Sequence, residues 1–239
     1  MWLIRSDAWS MWLSGKSRAL WLYGIAGAGK TVLVSHLVEE TMKHCAQSEL
    51  GTIACVYYYC YHGHRQDETA PFLRWVISQL CRQGCFIPRC VYAIYQMGRQ
   101  PSLAKLLDAL EEALHHFSRV NILIDGLDES ASPRDDLLRV LVDLATDARF
   151  QKLHVIASSR NYVDIEKAMT GIFTPISMDN HLVEADIRTY VQSKTRSDTK
   201  FQHWPRDLLA TVENILPKKA TGMYDSHHHL IVTAVCSLL

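Results

Sequence analysis

Short apolar runs alternate with amphipathic segments along the chain, a pattern typical of α/β proteins. Runs of β-branched, aromatic or aliphatic residues predict five strands, at residues 19–23, 52–59, 120–125, 153–158 and 173–177. Apolar residues at helical spacing predict helices within residues 1–17 and at residues 31–43, 71–80, 102–114 and 135–146. We therefore predict a three-layer α/β/α fold with a mainly parallel five-stranded sheet. Residues 85–97 fit neither period.

Composition narrows the classes of partner and compartment. The 239 residues suit one domain, or one domain with an appended piece, and 25 basic residues balance 25 acidic ones. A chain without net charge has no field that attracts nucleic acid or anionic lipid, so we expect no nucleic acid and no membrane as partners. The first residues lack the apolar segment of a signal peptide, and seven cysteines have no regular spacing, which indicates a cytoplasmic protein.

Residues 24–31, Gly-Ile-Ala-Gly-Ala-Gly-Lys-Thr, satisfy the P-loop pattern G-x-x-x-x-G-K-[ST] between a predicted strand and a predicted helix. Glycines let such a loop wrap around phosphate oxygens, which the backbone amides and the helix dipole attract. The predicted nucleotide-binding residues are Gly24, Gly27, Ala28, Gly29, Lys30 and Thr31. In this interpretation Lys30 pairs with the β- and γ-phosphates, and the Thr31 hydroxyl binds Mg²⁺.

Two alternatives accompany this motif. One is a glycine-rich turn that holds no ligand. The other is a second match, because residues 14–17 read Ser-Gly-Lys-Ser, but no strand precedes them and we predict a surface turn there.

Three carboxylates lie at the end of the predicted strand at residues 120–125. Asp125 has the position from which P-loop proteins hold Mg²⁺, an ion that prefers oxygen ligands. Gly126 occupies the place where many of these ATPases carry a catalytic glutamate, so the next acids are Asp128 and Glu129. Either acid can orient the water that attacks the terminal phosphate, or both only cap a helix, and spacing does not choose between them.

Arg160 follows the predicted strand at residues 153–158 and therefore lies at the same edge of the sheet as the P-loop. A guanidinium at this edge is suited to sense the γ-phosphate through a charge-assisted hydrogen bond. The competing interpretation is an ordinary surface salt bridge. Asp128, Glu129 and Arg160 are thus the predicted catalytic residues, and Thr31 and Asp125 the predicted metal ligands.

Eight segments carry a resemblance to a known family. They are Trp-Leu-Ser at 12–14, the strand and P-loop at 20–31, Val-Tyr-Tyr-Tyr at 56–59, Leu-Arg-Trp-Val-Ile-Ser-Gln-Leu at 73–80, Ile-Leu-Ile-Asp-Gly-Leu-Asp-Glu at 122–129, Ala-Ser-Ser-Arg at 157–160, Asp-Ile-Arg-Thr-Tyr at 186–190 and Lys-Ala-Thr-Gly-Met at 219–223. Together they resemble the NACHT NTPases of the signal-transduction (STAND) class of P-loop proteins, in particular the fungal branch with a nephrocystin-like NACHT module.

The resemblance implies a sheet order of 5-1-4-3-2, ATP or GTP bound with Mg²⁺, and slow hydrolysis. It also implies an oligomerising switch in fungal non-self recognition or cell-death signalling, whose partners are nucleotide and a homo-oligomer or related NACHT proteins. By the same resemblance Lys30 and Thr31 have the Walker A role, Asp125 the metal role, Asp128 and Glu129 form the distal acidic pair, and Arg160 is the sensor.

The resemblance also divides the chain. It implies an N-terminal helical lead-in at 1–18, a NACHT P-loop core at 19–178, a partial helical subdomain at 179–224 and a divergent tail at 225–239. Family members join this module to an N-terminal effector and a C-terminal repeat sensor, and neither is recognised here. A natural truncation, a splice variant and a gene-model error are the alternatives for the tail.

Three functions stay open at this stage. The first is a nucleotide-operated switch that hydrolyses slowly, the second is a continuously cycling NTPase or kinase, and the third is a non-catalytic interaction module or decoy that co-assembles with full-length relatives. No motif distinguishes adenine from guanine.

Two further clusters contain residue types that bind metals. The adjacent histidines at 227–229 cannot easily converge on one ion, and Cys81, Cys85 and Cys90 lack paired zinc spacing. We predict a polar turn for the histidines and buried or half-buried thiols for the cysteines.

Overall fold

The computed structural model describes residues 1–47, 52–96, 98–197, 201 and 203–219. Five strands form one parallel sheet in the order β2-β3-β4-β1-β5, which is the predicted order of 5-1-4-3-2. The strands are β1 (Ala19–Tyr23), β2 (Ile53–Tyr59), β3 (Arg119–Asp125), β4 (Leu153–Ser159) and β5 (Thr174–Ser177). The predicted fold class, a three-layer α/β/α P-loop NTPase fold, is therefore confirmed.

Nine α-helices occur in the described part of the chain. They are α1 (Asp7–Leu13), α2 (Lys30–Gln47), α3 (Thr69–Gly84), α4 (Arg89–Gln96), α5 (Leu103–Leu114), α6 (Asp135–Thr146), α7 (Val163–Met169), α8 (His181–Ser197) and α9 (Arg206–Lys219). No described helix is both long and apolar enough to cross a membrane.

Strands β1 to β4 each contribute to two hydrophobic cores because helices cover both faces of the sheet, whereas the edge strand β5 contributes only the partly buried Ile176 to one of them. In β1, Ala19 and Trp21 belong to one core, whereas Leu20 and Leu22 belong to the other. The first core includes residues of α3, α5, α6 and α7, and the second includes residues of α1, α2 and α8. The continuous apolar runs of the sequence therefore correspond to strands buried on both sides.

Several helices differ from the bounds that the sequence predicts. α3 begins at Thr69, not at Pro71, and the Asp67 carboxylate just before it accepts a hydrogen bond from the Thr69 amide at 3.0 Å. α2 continues four residues beyond the predicted end, and the unassigned residues 85–97 contain α4. α7 has only seven residues, too few to show a helical period in the sequence. The tail at 225–239, with its histidines, lies outside the described residues.

The amino-terminal ends of the strands bind the segment around α1. Arg119, the first residue of β3, donates to the carbonyl oxygens of Trp12 and Leu13, and its guanidinium lies 5.7 Å from the Trp12 ring centroid. Arg18 donates to the carbonyl oxygens of Leu153 at 3.1 Å and Phe150 at 2.8 Å. These contacts leave the opposite, carboxyl-terminal ends of the strands to form the site.

Candidate functional site

The P-loop connects the end of β1 to the first turn of α2. Gly27 and Gly29 have φ angles of +75° and +77°, a region that side chains with a Cβ rarely adopt. The loop therefore curves tightly enough for its backbone amides to face one space at the start of an eighteen-residue helix. Lys30 folds back over this loop, and its Nζ donates to the carbonyl oxygens of Gly24 at 2.9 Å and Ile25 at 2.8 Å.

A cavity of about 490 Å³ lies above this loop at the carboxyl-terminal edge of the sheet. The predicted residues that line it are Gly27, Ala28, Gly29, Lys30, Thr31, Asp125, Asp128, Glu129 and Arg160. Gly24 lines a second cavity of about 520 Å³ on the other side of the loop, which shares Ala28 and Arg160 with the first. The fold thus brings together residues from the P-loop and from the ends of β3 and β4, which are far apart in the sequence.

Asp125 is the last residue of β3 and only 4% exposed. Burial raises the pKa of its carboxyl, whereas hydrogen bonds from the Ser158 and Thr31 hydroxyls lower it. Ser158 also accepts a hydrogen bond from the Gly126 amide at 3.1 Å. This one serine of β4 therefore contacts both the Asp125 carboxylate and the backbone of the next residue. The orientation of Asp125 is therefore fixed by its neighbours before any ligand binds.

Gly126 explains why the acidic pair is displaced along the chain. Its φ is +72°, and a Cβ at this position would lie 3.4 Å from the carbonyl oxygen of Cys60. The left-handed residue starts a 3-10 turn at Leu127–Glu129 that is closed by the Glu129 amide donating to the Gly126 carbonyl at 2.8 Å. This turn carries Asp128 and Glu129 back to the cavity that Asp125 lines.

The two acids of the turn have different partners. Asp128 accepts a hydrogen bond from the Arg160 amide at 2.9 Å, and its other oxygen lies 3.2 Å from Arg160 Nε. Glu129 Oε2 lies 3.3 Å from both the backbone amide and Nδ1 of His62, in the segment that follows β2. Neither acid caps α6, because no side chain forms a capping hydrogen bond at the start of this helix. The capping alternative is therefore wrong for α6.

The cavity contains opposed charges that perturb one another. Burial lowers the pKa of Lys30, and the carboxylates of Asp128, Asp125 and Glu129 raise it. A hydrogen bond to Tyr162 is the main cause that raises the pKa of Arg160. A half-buried ammonium with a lowered pKa among carboxylates is typical of a functional site and not of a solvated surface.

Sequence reasoning missed three residues at this site. In the sequence Ser158 is only the end of a predicted strand, Tyr190 only part of a family segment, and His62 belongs to no predicted element. Tyr190 of α8 lines the main cavity. No local signal marks these residues, because their roles depend on the register of β4 against β3 and on the docking of α8.

The cysteines and histidines form no metal site in the described residues. Those residues contain no group of three or more His, Cys, Asp or Glu side chains placed to hold a metal ion. Cys81 and Cys90 are half-buried, as predicted, but Cys85 is exposed because it follows the end of α3 in a left-handed conformation.

With the geometry established, the chain was compared with known proteins. Residues 1–160 match the family model described as Nephrocystin 3, N-terminal. The chain belongs to this family. No curated protein sequence matches the chain.

Several solved structures share the fold of this chain. Drosophila ORC bound to DNA matches with a TM-score of 0.56 and 16% identity, over 96% of this chain and 53% of that one. The Aeropyrum pernix ORC1 protein in complex with DNA has a TM-score of 0.56 and 13% identity, over 91% and 54%. Cdc6p from Pyrobaculum aerophilum has a TM-score of 0.55 and 16% identity, over 90% and 52%. The chain thus spans about half the length of these structures, and at such identities the likeness shows the fold alone.

These matches correct one prediction. We expected no nucleic acid as a partner because the net charge is zero, and this prediction is wrong, since two proteins of the same fold were solved with DNA. A balanced net charge does not exclude nucleic acid, because a local basic surface suffices to contact phosphates.

Proposed function

We propose that this chain binds a purine nucleoside triphosphate, ATP or GTP, with Mg²⁺ and hydrolyses it slowly. The observation that carries this proposal is the P-loop, whose left-handed glycines, Lys30 and Thr31 share one cavity with the buried carboxylate of Asp125. A helix start with free amides, a lysine and a carboxylate at the end of a neighbouring strand is an arrangement suited to a polyphosphate and its metal ion.

The residues fit Mg²⁺. The Thr31 hydroxyl donates a hydrogen bond to the Asp125 carboxylate, so two oxygen atoms that can bind a metal ion lie side by side at the cavity. Mg²⁺ requires oxygen ligands and usually takes only one or two from the protein, with phosphate and water completing its shell. When bound, the ion neutralises charge that develops on the β- and γ-phosphates. Thr31 and Asp125 would hold it, and Ser158 would keep Asp125 in position.

Lys30 would exchange its partners on binding. In this structure the ammonium donates to the carbonyl oxygens of Gly24 and Ile25, which provide its hydrogen-bond acceptors within the loop. A triphosphate offers charged acceptors in place of neutral carbonyls, so the ammonium gains an attraction between opposite charges in addition to its hydrogen bonds. Lys30 would therefore leave the loop carbonyls for the β- and γ-phosphates.

Arg160 and the acidic turn provide the groups for hydrolysis. Arg160 lies at the cavity with a side chain that is half exposed, so its guanidinium is accessible to a γ-phosphate. Asp128 and Glu129 supply carboxylates at the same place. The absence of an acid at Gly126 supports slow turnover, because the carboxylates reach the cavity only through the turn.

The slow cycle suits a switch. Tyr190 of α8 lines the same cavity as the P-loop, and α8 packs against α9. A bound nucleotide could therefore change the position of these two helices. We propose that residues 19–178 form the NTPase core and 179–224 a helical subdomain that responds to it. The segments quoted above support a NACHT-type role of the STAND class in fungal non-self recognition or cell-death signalling.

The experiment is a measurement of phosphate release and its Mg²⁺ dependence with ATP and GTP. The wild type is expected to release less than about one phosphate per minute, against roughly 1–100 per second for kinases. Asp125→Asn is expected to lose the Mg²⁺ dependence, whereas Asp136→Asn, an exposed acid of α6, should behave as the wild type. Faster turnover would favour a cycling NTPase or kinase, and neither binding nor turnover would favour a non-catalytic module.

A further inference from the structure

The two acids of the 3-10 turn are held so differently that they cannot serve the same purpose. Both oxygens of Asp128 contact Arg160, one through its backbone amide and one through Nε, and the Asp128 side chain is only 6% exposed. A carboxylate that is occupied on both oxygens and covered has little room for a water molecule. Its contacts instead fix where the Arg160 backbone and guanidinium lie.

Glu129 has the opposite environment. Its side chain is 38% exposed, and only Oε2 has a partner, His62, at 3.3 Å on a side chain that is itself 75% exposed. Oε1 accepts no hydrogen bond from the described residues. Glu129 also lines the cavity, so one of its oxygens is accessible to a water molecule there.

We infer that Asp128 is a positioning residue that holds Arg160 for the γ-phosphate, and that Glu129 is the carboxylate that orients the attacking water. This inference rests on the proposed function. The water oxygen bonds to the γ-phosphorus, the bond to the bridging oxygen breaks, and the nucleoside diphosphate leaves. The water proton passes to Glu129 and then to the released phosphate.

The test compares Glu129→Gln and Asp128→Asn in single-turnover hydrolysis and in affinity for ATP against ADP (and GTP against GDP). Glu129→Gln should lower the hydrolysis rate by about 100-fold or more, with the preference for triphosphate retained. Asp128→Asn should lower that preference by about tenfold, because Arg160 loses its ionic partner. In an Arg160→Ala background, Asp128→Asn should change neither quantity by more than about twofold.

Asp136→Asn is the matched control, because Asp136 also pairs with an arginine, Arg139, but on the exposed face of α6. Thermal unfolding of each variant separates a lost role from a lost fold. The inference is overturned if Glu129→Gln hydrolyses at the wild-type rate, or if Asp128→Asn costs as much in the Arg160→Ala background as alone. A wild type that binds no nucleotide overturns the proposed function as well, and that failure appears before any variant is made.

A separate observation concerns β2, the outermost strand on its side of the sheet. Gln83 accepts from the Cys55 amide at 3.3 Å and donates to the Cys55 carbonyl at 2.8 Å, and Gln79 does the same with Tyr57 at 3.3 and 2.8 Å. Trp75 adds a hydrogen bond to the Tyr57 carbonyl at 2.9 Å. The glutamines are four residues apart on α3, about 6 Å, which matches the roughly 6.6 Å between alternate strand residues.

The geometry points to a second inference, that Gln79 and Gln83 stand in for a neighbouring strand and close this edge to strand addition by a second copy of the chain. An open edge offers unpaired amide and carbonyl groups to another strand. Each glutamine amide carries one donor group and one acceptor, so it satisfies both groups of one strand residue. The strand thus remains an edge while its outward backbone groups at Cys55 and Tyr57 are paired.

Hydrogen exchange and light scattering test this inference. In Gln79→Ala/Gln83→Ala the amides of Cys55 and Tyr57 should exchange at least about tenfold faster, and a larger species than in the wild type should form as concentration rises. Gln83→Ala alone should affect only Cys55, which keeps the test usable if the double variant fails to fold. Gln96→Ala, on the exposed surface of α4, is the control. Unchanged exchange, or an unchanged assembly state in the double variant, overturns the inference.

Discussion

At the amino-terminal end of the strands, Arg18 and Arg119 donate to main-chain carbonyl oxygens, whereas at the carboxyl-terminal end Lys30 and Arg160 lie among three carboxylates around a cavity. Burial lowers the pKa of Arg18 and Arg119 as it does that of Lys30, but in the described part of the chain no carboxylate counteracts this lowering for either arginine. At the first end, the cations are hydrogen-bonded to fixed backbone groups. At the second end, a ligand can replace the loop carbonyls that accept from Lys30, and Asp128 holds Arg160 beside the cavity.

The comparison separates two uses of partly buried charge. A guanidinium bonded to carbonyl oxygens joins chain segments, here α1 to β3, and its removal leaves acceptors unpaired. The charges around the cavity include Asp125, which is only 4% exposed. Their lost hydration is not fully replaced by contacts within the protein, which is typical of sites kept for binding. Removal of the Arg119 charge and removal of the Asp125 charge should therefore change stability in opposite directions.

The largest effect on stability is expected at the amino-terminal end. Arg119→Met should lower the free energy of unfolding by about 2–3 kcal/mol, because the Trp12 and Leu13 carbonyls lose a charged donor and the Trp12 ring loses its guanidinium neighbour. Urea denaturation measures this, with the exposed Arg139→Met as control. An effect no larger than that of the control would show that Arg119 does not join α1 to the sheet.

The next effect concerns the start of the acidic turn. Gly126→Ala should cost about 1–2 kcal/mol, because an alanine at a φ of +72° is strained and its Cβ meets the Cys60 carbonyl. The same change should slow phosphate release, since Glu129 is positioned by this turn. Denaturation and single-turnover assays are compared with Gly98→Ala, a left-handed glycine with open space around its Cβ position. Equal turnover in both variants would disconnect the turn from hydrolysis.

A smaller effect of opposite sign is expected at the metal position. Asp125→Asn should raise the free energy of unfolding by about 1 kcal/mol, because it removes a buried charge while the Ser158 contact can be kept. Denaturation without nucleotide measures it. A clear loss of stability would mean that Asp125 is a structural residue like Arg119, and the contrast between the two ends would fail.

The smallest effect is a change in the pH dependence. Burial, together with Arg119 and Arg18, lowers the pKa of His154 to about 4 from an ordinary value of 6.5. The unfolded chain therefore binds a proton that the folded chain does not, so stability should fall as pH drops from 6.5 towards 4. Urea midpoints across this range should be flatter for His154→Gln, and the exposed His115→Gln should match the wild type. If the urea midpoint of His154→Gln depends on pH as strongly as that of the wild type, His154 is not the source of the acid sensitivity.

The sequence predicts the parts of the site that are local. A P-loop is contiguous, and Asp125 follows an apolar run, so both can be read without knowing the fold. The pairing of Asp128 with Arg160 joins residues 32 positions apart and depends on the register of β3 against β4, which no local pattern records. The same limit applies to Gln79 and Gln83, whose spacing becomes meaningful only once α3 is known to lie along β2.

Nucleotide titration with ATP and GTP, with and without Mg²⁺, tests the central claim most directly when two lysines are compared. Lys30→Ala removes the lysine of the cavity, and Lys16→Ala removes the exposed lysine of the similar Ser-Gly-Lys-Ser turn. We predict that Lys30→Ala weakens binding by about 100-fold or more, since a charge-assisted contact to phosphate is lost, whereas Lys16→Ala binds as the wild type. Equal binding by the wild type and Lys30→Ala would contradict the account.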